Sequence, residues 1–270
     1  MTSRTMLIAG GMDGIGFSLL SSESQRIKYS NLFVLGRDFV KVDQLLLNNS
    51  NNNQTPKQQQ PKIMKLPCDI TQFNEIGVML SKIKDDSIHD FILTIGSFHR
   101  GKIADITVSS SSNNVAENED GEKEEDQKQQ HNNNNDNDDI VAEHFHLNCV
   151  STIHLIRMIL PKLVKGDSQI VICTASLAII ARSPYGLQSA TKAALKSFID
   201  ALRIELRGKT RVMNIMPPSI NTQIFSKAGD YRNTESYPPP SRITNIIQYL
   251  LDCPTDICIP DILIEQHSFE

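Results

Sequence analysis

The stretch AGGMDGIG at residues 9–16 sets Gly10, Gly14 and Gly16 in the spacing G-x-x-x-G-x-G between an apolar run and a helix-forming one. That composition suits a phosphate cradle. Glycines let backbone come close to a pyrophosphate, and a helix N-terminus offers unpaired N–H groups and the positive end of a dipole. The context of strand before and helix after marks the glycines as a dinucleotide turn. About twenty residues on, VLGRD places Arg37 directly after Gly36. A carboxylate there would bind the ribose 2′-hydroxyl of NAD, whereas a guanidinium accommodates a 2′-phosphate. The expected cofactor is therefore NADP, with NAD left open by the acids Asp13 and Asp38 in the same region. Further along, PCDIT puts Asp69 past the third apolar run, where its carboxylate can accept from an adenine amino group.

These groups need a frame that brings distant turns to one edge. Short apolar runs at 6–10, 32–36, 63–66, 91–95, 169–174, 211–216 and 259–264 alternate with helical patterns at 15–27, 73–84, 140–164, 189–206 and 242–251. Several runs are apolar throughout, the signature of strands covered on both faces. The pattern predicts an α/β fold: a Rossmann-type, doubly wound parallel sheet of about seven strands in a three-layer α/β/α sandwich, one domain over residues 1–270. Two stretches interrupt it, NNSNNNQTPKQQQ at 48–60 and a polar, acidic run at 109–139. Both lack the apolar surface to offset the entropy of ordering and are expected to be disordered insertions.

Composition narrows the partners. Residues 117–139 hold ten acids against two lysines, a charge of −8, so the rest of the chain carries +4 within a formal total of −4. A mildly basic remainder suits an anionic small molecule, but the clustered basic face of a nucleic-acid binder is missing. Five cysteines, 68, 149, 173, 253 and 258, are irregularly spaced and read as reduced thiols. His144, His146 and His154 sit among apolar neighbours and read as exposed or core residues, and no metal site is expected. No apolar run reaches the roughly 18 residues of a membrane span, and a first strand near residue 5 leaves no room for a signal peptide. A soluble, cytoplasmic protein is expected.

Read in order, these residues resemble the short-chain dehydrogenase/reductase family across almost the whole chain outside the two insertions. The cofactor motif stands as Gly10, Gly14, Ile15 and Gly16, with Ala9 where threonine is usual, and Asp69 and Ile70 resemble the adenine-binding pair. Where the family closes its fourth strand with Asn-Asn-Ala-Gly, this chain has Leu93, Thr94, Ile95 and Gly96, and only the glycine is shared. The resemblance implies that Asn148 holds a water of the proton relay by its backbone carbonyl, and that Ser176 polarises a substrate carbonyl. It implies that Lys192 binds the nicotinamide ribose, and that Thr222, after Pro217, bonds the carboxamide. It also implies a small-molecule carbonyl or alcohol substrate, chosen by residues 223–240, and a homo-oligomer built on the helices of Asn148 and Lys192.

One position departs from the pattern. Four residues before Lys192 the family carries its tyrosine acid, and here stands Gln188. A positioned acid contributes roughly 10²–10⁴ in rate to carbonyl reduction. An amide donates a hydrogen bond but does not ionise near neutral pH. Impaired or altered acid catalysis is the expectation, with a catalytically inactive dinucleotide-binding protein as the alternative. Tyr185 is the nearest phenol, but Pro184 sets it ahead of the helix, where packing or a loop role is expected.

Overall fold

The computed structural model describes residues 4–51, 61–102, 104 and 140–267. Seven strands form one parallel sheet in the order β3-β2-β1-β4-β5-β6-β7. They are β1 Thr5–Ala9, β2 Asn31–Gly36, β3 Lys62–Pro67, β4 Asp90–Leu93, β5 Ser168–Cys173, β6 Thr210–Met216 and β7 Asp261–Leu263. The apolar runs form strands because both faces are covered. Alternate residues of β1 enter different cores: Leu7 and Ala9 pack with Ile76, Ile156 and Leu195, whereas Met6 and Ile8 pack with Leu19, Leu20 and Ile247. This is the doubly wound three-layer arrangement that the sequence predicts.

The helices are α1 Gly14–Ser21, α2 Glu23–Arg26, α3 Val40–Asn51, α4 Phe73–Leu80, α5 Ile140–Phe145, α6 Thr152–Ile159, α7 Gly186–Glu205, α8 Ile224–Lys227 and α9 Pro240–Asp252. Besides shifted ends of α4 and α7 and the short α8, which was not expected, three depart from expectation. The helix expected over 15–27 breaks at Ser22, whose extended backbone ends α1 and starts α2. The helix expected over 140–164 is not uniform, because a π-helix, His146–Ser151, joins α5 to α6 and a 3₁₀ turn, Leu160–Lys162, closes it at Pro161. The sequence reading had no helix at 40–51. α3 forms there because Val42, Leu45 and Leu46 bury against the core, and it runs on through residues 48–51 of the first polar stretch. The rest of that stretch and the whole of 109–139 lie outside the described residues. Among the described residues, no helix is long and apolar enough to cross a membrane, and all five cysteines are free thiols.

The chain reverses winding direction between β1 and β4, which are neighbours in the sheet although β2 and β3 intervene in sequence. Their C-terminal ends therefore open a crevice, the place where doubly wound sheets take their ligands. The glycine turn after β1 and residues 94–97 after β4 face each other across it.

Candidate active site

The glycine turn is compelled by close packing. Gly10 and Gly14 hold φ of +94° and +54°, values that side-chain-bearing residues rarely adopt. A Cβ on Gly10 would lie 2.6 Å from Thr94 Oγ1, and one on Gly16 would lie 2.4 Å from the Gly10 carbonyl oxygen. The Thr94 hydroxyl donates to the carbonyls of Ala9 (3.2 Å) and Gly10 (3.3 Å). Thr94 thus ties β4 to the turn where the family pattern has asparagine. Ile15 leans on the core beneath α1.

Asp13 caps α1, its carboxylate accepting from Gly14 N at 2.8 Å, from Lys41 Nζ at 2.7 Å and from Lys227 Nζ at 2.9 Å. Burial alone would raise its pKa, but those three donors together hold it below the usual carboxylate range. Thr222 closes over the same helix end, with its Cγ2 3.2 Å from where a Gly14 Cβ would stand. Between the turn and residues 221–241 runs a cleft of about 710 Å³. Gly14, bare of a side chain at the α1 N-terminus, lines that cleft, while both lysines are already paired with Asp13; a dinucleotide pyrophosphate would meet the turn through its backbone.

Farther out, Arg37 is exposed and meets Asp69 at 3.3 Å. Asp69 Oδ1 also accepts from Thr71 N (3.0 Å) and Thr71 Oγ1 (2.8 Å), so its turn is self-supporting. Ile70 is buried in the core.

The second half of the site lies where α7 meets the π-helix. Lys192 is buried, and burial lowers its ammonium pKa to about 8. Gly96 makes room for it: a Cβ there would stand 2.8 Å from Lys192 Nζ and 3.1 Å from Asn148 Oδ1. Asn148, fully buried in the π-helix, works through its side chain. Oδ1 accepts from Ser97 N at 2.9 Å, and Nδ2 reaches Ser97 Oγ at 3.2 Å. A π-helical turn at this point is in keeping with the frequent occurrence of such bulges at functional sites.

Of the two readings the sequence left for His144, exposed or core, the structure has the core one, and adds a set of hydrogen bonds that the sequence did not show. His144 is buried between Ser97 and Gln188, with Nδ1 3.0 Å from Ser97 Oγ, and Nε2 2.7 Å from Gln188 Oε1 and 3.0 Å from Asn148 Nδ2. Burial lowers its pKa; the bond to Gln188 opposes that, while Lys192 and His99 reinforce it. The imidazole is therefore neutral at pH 7. Neither His144 nor Ser97 was singled out as a site residue from sequence. The available signal was spacing: His144 stands one helical turn before Asn148, as Gln188 stands one turn before Lys192.

Ser176 opens a 3₁₀ turn at the end of β5, held by its N–H donating to Pro217 O at 2.9 Å. Among the described residues its hydroxyl has no hydrogen-bond partner. Tyr185 precedes α7, as Pro184 implied, and its hydroxyl accepts from Arg232 at 3.2 Å. Arg232 stacks on Phe225 and Phe98 and pairs with Asp230, a cluster that fixes residues 225–237 against the loop after β4. The structure brings Gly96, Asn148, Gln188 and Lys192 together around the π-helix, and Gly10, Gly14, Gly16 and Thr222 around α1. Arg37 and Asp69 form a third group, at the ends of β2 and β3.

Sheet order, crevice and glycine turn define a doubly wound domain of the Rossmann type. The family model described as short chain dehydrogenase matches residues 113–233. An uncharacterized oxidoreductase of Bacillus subtilis, DltE, is 32% identical over 117 residues, which are 41% of this chain and 44% of that protein. The chain spans about half the length of the relatives it matches by sequence. Among solved structures, an alcohol dehydrogenase from the archaeon Thermococcus sibiricus, complexed with 5-hydroxy-NADP, superposes with a TM-score of 0.72 at 14% identity, covering 99% of this chain and 100% of that one. A short-chain dehydrogenase from Sphingobium yanoikuyae in complex with NADPH gives 0.69 at 18% identity, covering 92% and 84%. The chain is thus similar to short-chain dehydrogenases over residues 113–233 and shares their fold.

Proposed function

We propose that this chain binds NADP(H) at the glycine turn and acts as a carbonyl or alcohol oxidoreductase whose acid catalysis is impaired or altered by Gln188. The observation that carries the reading is Lys192. A buried ammonium without an ion-pair partner is costly, and this one sits over Gly96 beside the crevice with no hydrogen bond among the described residues. A lysine so placed answers to a ligand that satisfies it, and the hydroxyls of a nicotinamide ribose have that chemistry. Arg37, exposed beyond β2, would meet a 2′-phosphate, with Asp69 and Ile70 bordering the adenine. Solved structures of the same fold are complexed with 5-hydroxy-NADP, NADPH or NADP, which agrees with that preference over NAD.

Bound there, the dinucleotide would supply or accept the hydride. Ser176, its hydroxyl uncommitted, would donate to the substrate carbonyl. Lys192 would hold the ribose, and Thr222 the carboxamide. Gln188 would contribute a hydrogen bond but no proton, so the proton would come from water. The substrate would be a small carbonyl or alcohol seated against residues 223–240, and assembly would use the helices of Asn148 and Lys192.

A second reading, dinucleotide binding without turnover, is favoured by one contact. Gln188 is locked against a neutral histidine while the nearest phenol, Tyr185, is held by Arg232.

Fluorescence titration with NADPH and NADH tests the shared premise: saturable binding, tighter for NADPH, is expected, and absence of binding refutes both readings. Restoring the acid separates them. Because Gln188 is buried with its amide 2.7 Å from His144, a larger tyrosine needs the imidazole removed. Gln188→Tyr combined with His144→Ala is therefore expected to raise carbonyl reduction by roughly 10²-fold or more. No gain across an aldehyde and ketone panel would favour binding without turnover.

A further inference from the structure

We infer that His144 is a positioning residue that fixes the direction of the Gln188 amide, so that the site receives its ligand through an acceptor oxygen and cannot take a proton from a hydroxyl. The argument is one of hydrogen placement. Ser97 N donates to Asn148 Oδ1 at 2.9 Å, which sets the Asn148 amide with Nδ2 toward Ser97 Oγ at 3.2 Å. Ser97 Oγ accepts that hydrogen, and its own hydrogen faces His144 Nδ1 at 3.0 Å. An imidazole that accepts at Nδ1 carries its proton on Nε2. Nε2–H then donates to Gln188 Oε1 across 2.7 Å. The 3.0 Å approach of Asn148 Nδ2 to His144 Nε2 becomes a contact between neighbours in the chain.

The reverse assignment fails. With the proton on Nδ1, Ser97 Oγ would accept from both Asn148 and His144, stranding the hydroxyl hydrogen. His144 Nε2, then without a hydrogen, would stand 2.7 Å from the lone pairs of Gln188 Oε1, and turning that amide over would instead leave one lone pair for two donors.

With its oxygen taken, Gln188 has only its two N–H hydrogens left to offer. Among the described residues Gln188 Nε2 has no hydrogen-bond partner, although the residue is only 4% exposed. The nitrogen keeps a small opening to solvent, and an amide edge with two spare donors there is complementary to a carbonyl or carboxylate oxygen. A phenol at this position could donate as phenol and accept as phenolate. The anchored amide can only donate; a ketone oxygen takes its hydrogens with nothing left over, whereas the alcohol of the same skeleton, which also accepts them, brings a hydroxyl hydrogen for which this amide has no acceptor, so the slot favours the ketone. The inference rests on the proposed function for the kind of ligand that enters, but the hydrogen-bond chain stands without a cofactor.

The test is NMR on the full chain, without dinucleotide. In ¹⁵N-histidine-labelled protein at pH 7, His144 is expected as the Nε2–H tautomer, its signals assigned by their loss in His144→Asn. In Gln188→Glu a carboxylate replaces the amide against the imidazole, and the His144 titration midpoint should move up by about one pH unit or more. An Nδ1–H tautomer in the wild type overturns the proposal without need of any variant, as does an unmoved midpoint in folded Gln188→Glu. In ¹⁵N-glutamine-labelled protein, the Gln188 side-chain NH₂ signals should shift more with acetone than with propan-2-ol, probes that share one carbon skeleton. An equal response, a larger response to the alcohol, or none to either overturns the ligand preference. Failure of NADPH to bind in a separate titration would sink the proposed function and leave these readouts untouched.

Discussion

Three glycine-to-alanine changes separate packing at the site from packing of the fold. At Gly96 the added methyl would stand 2.8 Å from Lys192 Nζ and 3.1 Å from Asn148 Oδ1. Ordinary contact begins at 3.4 Å, so the ammonium must retreat by about 0.6 Å. The obstacle is the far end of a flexible side chain, and the loss of stability should sit at the low end for overpacking, about 1 kcal/mol. For a chain of this size that is a fall in Tm of roughly 2–4 °C. The ligand feels more. A charge-assisted hydrogen bond is worth about 1.5–3 kcal/mol, so a displaced Lys192 should weaken NADPH binding by about tenfold or more.

At Gly16 the balance reverses. The methyl would meet the Gly10 carbonyl at 2.4 Å and Thr94 Oγ1 at 2.7 Å. Backbone cannot swing away, so a loss of about 3 kcal/mol is expected, roughly 6–12 °C in Tm. Gly77, in α4 with ordinary φ, has nothing within 4 Å of its would-be Cβ. Alanine there should stabilise by about 0.5–1 kcal/mol with NADPH affinity unchanged. Calorimetry and fluorescence titration on the three variants give the assay. If Gly96→Ala melts as low as Gly16→Ala while its NADPH Kd does not move, Lys192 does not face the cofactor, and the observation on which the proposed function rests is lost.

Three further outcomes follow from particular groups. Burial lowers the Lys192 pKa from 10.5 to about 8; between those values the unfolded chain holds the proton that the folded protein has lost, so this group makes unfolding free energy rise with pH across that window and stay constant below it. Urea melts over a pH series should show the rise in the wild type and its loss in Lys192→Met, and an unchanged slope would refute the burial argument. Tyr185→Phe removes only the hydroxyl that accepts from Arg232, so any carbonyl reduction should fall by less than about tenfold, against the roughly 10²–10⁴ a positioned acid supplies; a larger loss would make Tyr185 the acid. Deleting 109–139 should leave the melting temperature and NADPH affinity unaltered if composition alone marks that run as an insertion, and loss of either would show it to be part of the fold.

The central strands were legible because they are runs of apolar residues covered on both faces, whereas the edge strands β3 and β7 are more exposed. α3 was not legible, because its residues Val40–Asn51 pass without a break from Val42, Leu45 and Leu46 into asparagines, and burial against the sheet extends a helix that local composition does not announce. The π-turn at His146–Ser151 was equally hidden, since nothing in HLNCVS distinguishes it from an ordinary helical turn. Gly10, Gly14 and Gly16 were readable from spacing, but the reason for them was not: Thr94, far along the chain, fills the space that side chains at Gly10 and Gly16 would have needed, and Thr222 crowds the one at Gly14.

The same distinction explains Gln188 and His144. The absent phenol was visible as a type at a spacing, four residues before Lys192, and by itself it reads as a loss. What the amide requires was not visible, because the need arises only on burial. A carboxamide oxygen shut away from water must find a donor, and the donor comes from a helix 44 residues away in sequence. Once α5 and α7 pack, His144 reaches Gln188 from one turn before Asn148 just as Gln188 stands one turn before Lys192. The slot is then occupied by a paired histidine and amide whose hydrogens all point one way, and chemistry that needs a proton returned to this position must draw it from solvent.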